Sequence, residues 1–365
     1  MTATAYYIGL MTGTSLDGID AVLVDFAPAA PQLIATASAP LPADLRAELL
    51  ALQSPGANEL HRAALAANGH SRASAALVQQ LLAQAQLSPA QIKAIGNHGQ
   101  TIRHRPELGY TLQIGNHALL AEDTGITVIG DFRSRDVAAG GQGAPLVPAF
   151  HHALFAAPGR NRVVLNIGGM ANLSWLGADG WVTGFDSGPG NVLLDSWIAQ
   201  QHGASYDADG AWAATGTVDA ALLASLLAEP YFALPAPKST GRDLFDAAWL
   251  HDKLSAFSAL AAVDVQATLA ELSAQTMAAA ILQLGQPDEV FVCGGGAYNT
   301  DLLQRLARQL GCPISTTAAL GVAPTWVEAY AFAWLALRCQ QGQSGNLPAV
   351  TGARGERILG AIYPA

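Results

Sequence analysis

Apolar and small residues alternate with a period of two along residues 6–26, YYIGLMTGTSLDGIDAVLVDF, on either side of a turn rich in Gly, Thr, Ser and Asp. That pattern predicts two strands joined across the turn. Roughly 150 residues later, residues 163–185, VVLNIGGMANLSWLGADGWVTGF, repeat the plan. A duplication of this kind predicts two related α/β domains facing each other. Between the copies, residues 43–54 and 57–86 are rich in Ala, Leu and Gln with apolar positions at helical spacing, and strand-like runs follow at 93–97, 110–114 and 126–130. The Gly/Pro-punctuated segment 138–148, AAGGQGAPLVP, breaks regular structure and places the interdomain hinge near it. Helices are predicted over 191–202 and 218–228. A long amphipathic one over 264–284 sets Val265, Leu269, Leu272, Thr276 and Ala280 on one face, as a core element rather than a cofactor box. A strand over 289–293 then runs into Gly294, Gly295 and Gly296.

Composition narrows the function classes. With 365 residues and 51% hydrophobic positions the chain is not disordered, and its length suits two domains with cores of their own. Eighteen basic residues stand against 28 acidic ones, a formal charge of −10. The lysines are Lys93, Lys238 and Lys253, and no basic run exists, so the footprint needed to bind a phosphate backbone is missing and nucleic acid is not an expected partner. Cys293, Cys312 and Cys339 show no CxxC spacing, which predicts a reducing compartment. No basic region precedes an apolar stretch at the N-terminus, and no uncharged apolar run approaches the ~20 residues that span a bilayer. The expected location is the cytoplasm, without membrane attachment.

Three glycine clusters carry the candidate chemistry. Gly9, Thr12, Gly13, Thr14, Ser15, Asp17 and Gly18 crowd the first turn. Glycines let backbone N–H groups approach an anion, hydroxyls add donors, and a carboxylate can hold Mg²⁺ through water. The composition is that of a phosphate cradle, although an ordinary Gly/Asp turn uses the same residues. It is not a Walker A loop, which needs a lysine, and no GxGxxG follows a strand at the right spacing. The second cluster, 166–173 (NIGGMANL), shares the strand-to-glycine transition. Its partner strand ends at Asp186, ahead of Ser187-Gly188-Pro189-Gly190-Asn191, where a carboxylate would point into a ligand crevice or cap the following helix. The third, Gly294 to Gly296, allows a base or ribose to lie against bare backbone, and would equally serve a tight turn. His151 and His152 lack a third ligand at convincing spacing, so no zinc site is expected.

The wording of these segments resembles one family. GLMTGTSLDGID (9–20), NHGQTIRHRP (97–106), TLQIG (111–115), GDFRSRDVAAGGQGAPLVPAFH (130–151), NIGGMANLS (166–174), GFDSGPGN (184–191), PKSTGRDLF (237–245) and CGGGAYN (293–299) are similar to the bacterial anhydro-N-acetylmuramic acid kinases. These belong to the superfamily of acetate and sugar kinases and actin-like ATPases. The resemblance implies an α/β fold of two actin-like (ribonuclease H-like) domains, with mixed sheets flanked by helices and a cleft between them. One domain would be 1–136 plus 345–365, the other 137–344. It implies ATP and Mg²⁺ as cofactors and a homodimer. The activity would be hydrolytic opening of the 1,6-anhydro ring of anhydro-N-acetylmuramic acid with phosphorylation of O6, giving N-acetylmuramic acid 6-phosphate in cell-wall recycling. By the same resemblance Asp186 is the general base. Nucleotide would meet Gly13, Thr14, Ser15, Leu16, Asp17, Gly18, Ile19 and Asp20, then Asn166, Gly168 and Gly169, then Gly294, Gly295 and Gly296, with Asp17 toward the metal. Sugar would meet His98, Gln100, Thr101, Asp131, Arg133 and Glu328, and Arg133 suits the lactyl carboxylate because a guanidinium binds it in bidentate fashion. His98 could equally be a satisfied structural histidine, and Glu328 could face solvent or the cleft. Lys238, Ser239 and Arg242 could touch nucleotide or order their own loop. A kinase of the same fold acting on a non-anhydro sugar is the alternative, and an actin-like ATP-gated assembly protein a more distant one.

Overall fold

The structure is a computed structural model that describes residues 4–13, 16–241 and 244–365. Thr14, Ser15 and Arg242 therefore lie outside the described residues. Internal contacts divide the chain into two units, residues 1–150 with 326–365, and residues 151–325.

The first unit is built on a sheet whose centre is β1 (Tyr6–Met11), paired antiparallel with β2 (Gly18–Asp25), which pairs antiparallel with β3 (Gln32–Pro40). On its other side β1 runs parallel to β4 (Ile92–Asn97). The next two strands, β5 (Gln100–Arg105) and β6 (Tyr110–Ile114), form a separate antiparallel hairpin. The main sheet continues with β7 (Val128–Gly130), parallel to β4, and ends in the antiparallel strand Ala361–Tyr363. Because side chains alternate across a strand, β1 serves two layers at once. Ile8 and Leu10 join a core with Leu77, Val78, Leu81 and Leu82 of the helix Glu59–Ala85. Gly9 faces the opposite way, where a Cβ would lie 1.9 Å from the Ala329 carbonyl oxygen; on β4, a Cβ on Gly96 would lie 2.0 Å from that of Phe332. Only glycine lets the helix Val327–Gln340 rest its backbone directly on the sheet.

The second unit repeats the order. A meander of β8 (Arg162–Ile167), β9 (Met170–Leu176) and β10 (Val182–Pro189) is followed by β11 (Glu289–Cys293), parallel to β8, and β12 (Ile314–Thr316), parallel to β11. Val163, Leu165, Leu173, Trp175 and Phe185 close a core with Met277 and Ile281 of the helix Ala262–Leu282. Each unit thus places three antiparallel strands beside parallel ones in the same order. The α/β class with mixed, helix-flanked sheets is what the structure has.

Some expectations differ in detail. The units divide at 150/151 and 325/326, not at 136/137 and 344/345. The helix Val327–Gln340 packs on β1, β2 and β4 and so goes with the first unit. Strand β3 has no counterpart in the sequence reading, and the run 110–114 pairs within the β5–β6 hairpin instead of the main sheet. Among the described residues no helix is long and apolar enough to cross a membrane.

Candidate active site

In the first unit the described residues between β1 and β2 differ in what they can present. Leu16 and Ile19 are buried in the core, so each can offer a ligand only its peptide groups. Leu16 holds a left-handed φ of 59°, a conformation uncommon for leucine, and its carbonyl accepts a 3.0 Å hydrogen bond from Arg46 Nε. Gly18 cannot carry a side chain because a Cβ would fall 2.5 Å from the Ala39 carbonyl. Asp17 is exposed. Asp20 is partly buried, and burial, reinforced by the Asp17 charge, pushes its carboxyl up to about 6.

Among the sugar candidates of this unit, His98 and Glu328 are tied to Arg133. Its Nε and Nη2 lie 3.2 and 3.0 Å from His98 Nε2, and Nη1 donates to the Gly143 carbonyl at 2.8 Å. His98 therefore accepts at Nε2 and is neutral. Burial, then the adjacent guanidinium, holds it well below the usual imidazole range. Burial also lowers Arg133 to about 10, opposed by the charges of Glu328 and Asp136. Glu328, in the first turn of the helix Val327–Gln340, is half-buried. Its carboxyl is raised by burial, restrained by Arg133 and raised further by Asp20. Gln100 is fully buried, donates from Nε2 to the Thr101 carbonyl at 3.1 Å, and leaves Oε1 without a partner among the described residues. Asp131, at a left-handed φ of 55°, turns the chain from β7 into the loop that carries Arg133.

In the second unit Asp186 ends the regular part of β10. It pairs with Asn172, and a bulge follows before Gly188. Its Oδ2 accepts from the Thr240 backbone N–H at 3.1 Å, its own N–H donates to the Lys238 carbonyl at 3.2 Å, and its carbonyl accepts from the Tyr231 hydroxyl at 2.7 Å. Burial raises the carboxyl to about 6 against the pull of the Thr240 N–H. Asp186 does not cap the following helix, for the N–H groups of Asn191 and Val192 donate to the carbonyls of Gly168 and Gly169. Lys238 orders its loop: Nζ donates to the carbonyls of Tyr231 and Phe232 at 3.3 and 3.2 Å and lies 4.9 Å from the Tyr231 ring centre.

The glycines separate into two kinds. At Gly294 and Gly296 a Cβ would strike Asn166 Oδ1 at 2.4 Å and Ile167 Cγ2 at 2.3 Å, so these are packing requirements. Asn166, buried at the end of β8, is committed against Gly294 in the same way. A Cβ at Gly168, Gly169 or Gly295 meets nothing closer than 3.5 Å. Side-chain packing does not demand glycine at these three positions, although the Gly168 N–H donates to the Met170 carbonyl and the Gly168 and Gly169 carbonyls accept from the 190–192 turn. Among the described residues no group of three His, Cys, Asp or Glu side chains could hold a metal ion.

A family model for anhydro-N-acetylmuramic acid kinase matches residues 5–365. The chain belongs to that family. A relative so named from Bordetella petrii is 59% identical over 98% of this chain and 96% of its own, and one from Shewanella oneidensis is 54% identical over 99% of each. The Pseudomonas putida relative is 54% identical over 99% of this chain and its whole length. Among solved structures, an activator of 2-hydroxyisocaproyl-CoA dehydratase from Clostridium difficile with bound ADPNP covers 92% of this chain and 97% of its own, at 14% identity and TM-score 0.46.

Several supporting residues were not among the candidates read from the sequence. Asp136 is completely buried, accepting from the Gly143 N–H at 2.8 Å, Asn346 Nδ2 at 2.6 Å and Thr351 Oγ1 at 2.8 Å, and so fixes the loop whose carbonyl holds Arg133. His70, from the helix Glu59–Ala85, meets Thr12 Oγ1 at 2.8 Å and is held neutral by burial, near 4. Tyr231 and Thr240 fix Asp186. Their partners lie 45 and 54 residues away, so no local spacing announces them.

Proposed function

We propose that the chain uses ATP to open the 1,6-anhydro ring of anhydro-N-acetylmuramic acid with water and to phosphorylate O6, yielding N-acetylmuramic acid 6-phosphate and ADP. Water adds its oxygen to C1 and gives a proton to Asp186. The C1–O6 bond breaks, its electrons pass to O6, and O6 takes the γ-phosphoryl group. Asp186 carries this reading. It is a half-buried carboxylate, held at its main chain by Tyr231 and at one oxygen by Thr240, with an affinity for protons poised near 6. Such a base is ionised at neutral pH yet basic enough to accept a proton from water. Strain in the bicyclic sugar makes O6 a better leaving group than an ordinary glycoside oxygen, so one carboxylate suffices where glycosidases use two.

Arg133 receives the lactyl carboxylate. The bonds to His98 and Gly143 set the plane of the guanidinium and leave one hydrogen on each Nη for the ligand. His98 orients Arg133, while Gln100, Thr101, Asp131 and Glu328 complete the sugar contacts. The phosphate candidates are residues 13–20 in the first unit and Asn166, Gly168 and Gly169 in the second, and the nucleoside candidates are Gly294 to Gly296, where Gly295 is open. Mg²⁺ needs few protein ligands when phosphates supply the rest, and the exposed Asp17 suits that part. Bound there, the ion would neutralise phosphate charge during transfer. The same reading makes the protein a cytoplasmic homodimer.

The test is sugar-dependent ADP release from MgATP in a coupled assay, run in ¹⁸O-labelled water. One heavy oxygen should appear on C1 and none in the phosphate ester. ADP release without sugar dependence, or a phosphorylated product that retains the anhydro bridge, would refute the proposal.

A further inference from the structure

The β5–β6 hairpin hides its polar face. Thr101 stands opposite Gln113 and His104 opposite Thr111, and these four side chains share one side of the ribbon. Thr111 is buried and the other three half-buried, whereas the apolar Tyr110 and Leu112 of the other side are 37% and 47% exposed. Water as the only neighbour would favour the reverse. The hairpin packs beside the Arg133 group: the helix Ser134–Ala138, which follows Arg133, packs on β6, and burial, then the Arg133 charge, lowers His104 below the usual imidazole range.

Hydrogen bonds fix the direction of Gln113. Its Nε2 lies 3.2 Å from Thr101 Oγ1 and 2.8 Å from Thr111 Oγ1. Thr111 has a single hydroxyl hydrogen, and the Arg103 carbonyl at 3.5 Å and His104 Nδ1 at 2.9 Å both stand ready to engage its hydroxyl. Gln113 Nε2 donates to both threonine hydroxyls, so the amide presents nitrogen to the threonines and its carbonyl to the other side. That Oε1 is shut off from water and has no partner among the described residues. A buried acceptor without a donor is a standing cost that a ligand N–H or O–H removes.

We infer that Gln113 is a specificity-determining residue whose Oε1 accepts the acetamido N–H at C2 of the amino sugar. The inference rests on the substrate proposed above. Besides its carboxylate, that sugar has two donors, the acetamido N–H and the 4-hydroxyl. A hydroxyl both donates and accepts and suits a mixed environment. An amide N–H has no acceptor capacity and needs a bare acceptor, which is what the saturated threonine ladder leaves at Gln113.

The experiment compares kcat/KM for the anhydro sugar and for its 2-deoxy analogue, in which hydrogen replaces the acetamido group. The wild-type chain, Gln113→Leu and Gln113→Glu are each measured. The wild type should favour the parent sugar by roughly 10²-fold or more, as sites built around a buried hydrogen bond do. Gln113→Leu should lower the parent's kcat/KM and shrink the preference below about tenfold, with the KM for ATP unchanged, while Gln113→Glu, which keeps an acceptor, should hold the preference. An equal loss for both sugars in Gln113→Leu would make Gln113 structural and overturn the inference. So would a wild type that does not discriminate, or a preference in Gln113→Leu that narrows only against the 4-deoxy analogue. Should Gln113→Leu fail to fold, Thr111→Val releases the amide from its ladder and must narrow the same ratio, or the inference falls. A wild-type chain with no sugar-dependent turnover would overturn the substrate reading itself, and this inference with it.

Discussion

Replacing Asp186 by Asn separates what this carboxylate does for chemistry from what it costs the fold. Burial lifts its pKa from 3.8 to about 6. At about 1.4 kcal/mol per unit, ionising it in the native chain costs about 3 kcal/mol relative to the unfolded one. Because the folded value lies above the unfolded one, the native chain binds the extra proton between about pH 4 and pH 6. Stability from this group accordingly falls as pH rises through that window and stays low above it. Asn keeps an oxygen for the Thr240 N–H and carries no charge. Asp186→Asn should therefore raise the melting temperature at pH 7.5 by several degrees, at roughly 2–4 °C per kcal/mol for a unit of this size. The gain should shrink steadily as the measurement moves to pH 5. Turnover should drop ~10²–10⁴-fold, since an amide cannot take the proton from water. In the wild type, kcat/KM should rise about tenfold per pH unit below 6 and level off above it. Thermal denaturation followed by circular dichroism at both pH values, with coupled ADP release, reads all three quantities. Wild-type turnover in the variant would remove Asp186 from the reaction. A melting temperature at pH 7.5 equal to or below the wild type's would refute the energetics.

Gly9→Ala should destabilise the first unit by about 3 kcal/mol or more, because its Cβ would lie 1.9 Å from the Ala329 carbonyl oxygen, and urea unfolding would show it. Gly295→Val should leave the melting temperature unchanged, since the Cβ has open space, yet raise the KM for ATP at least tenfold; calorimetry of nucleotide binding checks it. Tyr231→Phe removes a hydrogen bond to the Asp186 carbonyl worth about 1 kcal/mol, and should lower kcat ~3–10-fold with little change in the KM for ATP. Chelation by EDTA should abolish turnover, and added Mg²⁺ should restore it without refolding.

What the sequence revealed follows the range of the forces involved. The hairpins at 6–26 and 163–185 and the helix over 264–284 were legible because a local period writes them directly. The glycine clusters and Asp186 were legible because a turn at a strand end must be spelled by adjacent residues. Strand β3, QLIATASAP, escaped because it is a small-residue edge strand whose partner, β2, is what makes it a strand. The division between units escaped for a related reason. That Val327–Gln340 belongs with β1 depends on Gly9 and Gly96 meeting Ala329 and Phe332 across more than 200 residues of chain. The supports of the site, Asp136 with Asn346 and Thr351, or Gln113 with Thr101 and Thr111, are pairings of common polar residues that acquire meaning only once folding has excluded water from them.

The return of the chain to its first unit has a bearing on how the protein is made. When residue 150 leaves the ribosome, β1 and β4 exist but the helix that covers their glycine-bearing face has not been synthesised. Roughly 175 residues must follow first, which at 5–20 residues per second takes on the order of 10–35 s. The second unit, continuous in sequence, is complete before the first can close. A nascent chain of this kind holds an uncovered sheet for that interval, a natural client for chaperones that shield apolar surface. Truncation anywhere before residue 340 should deprive the N-terminal half of its finished form, however native its own sequence.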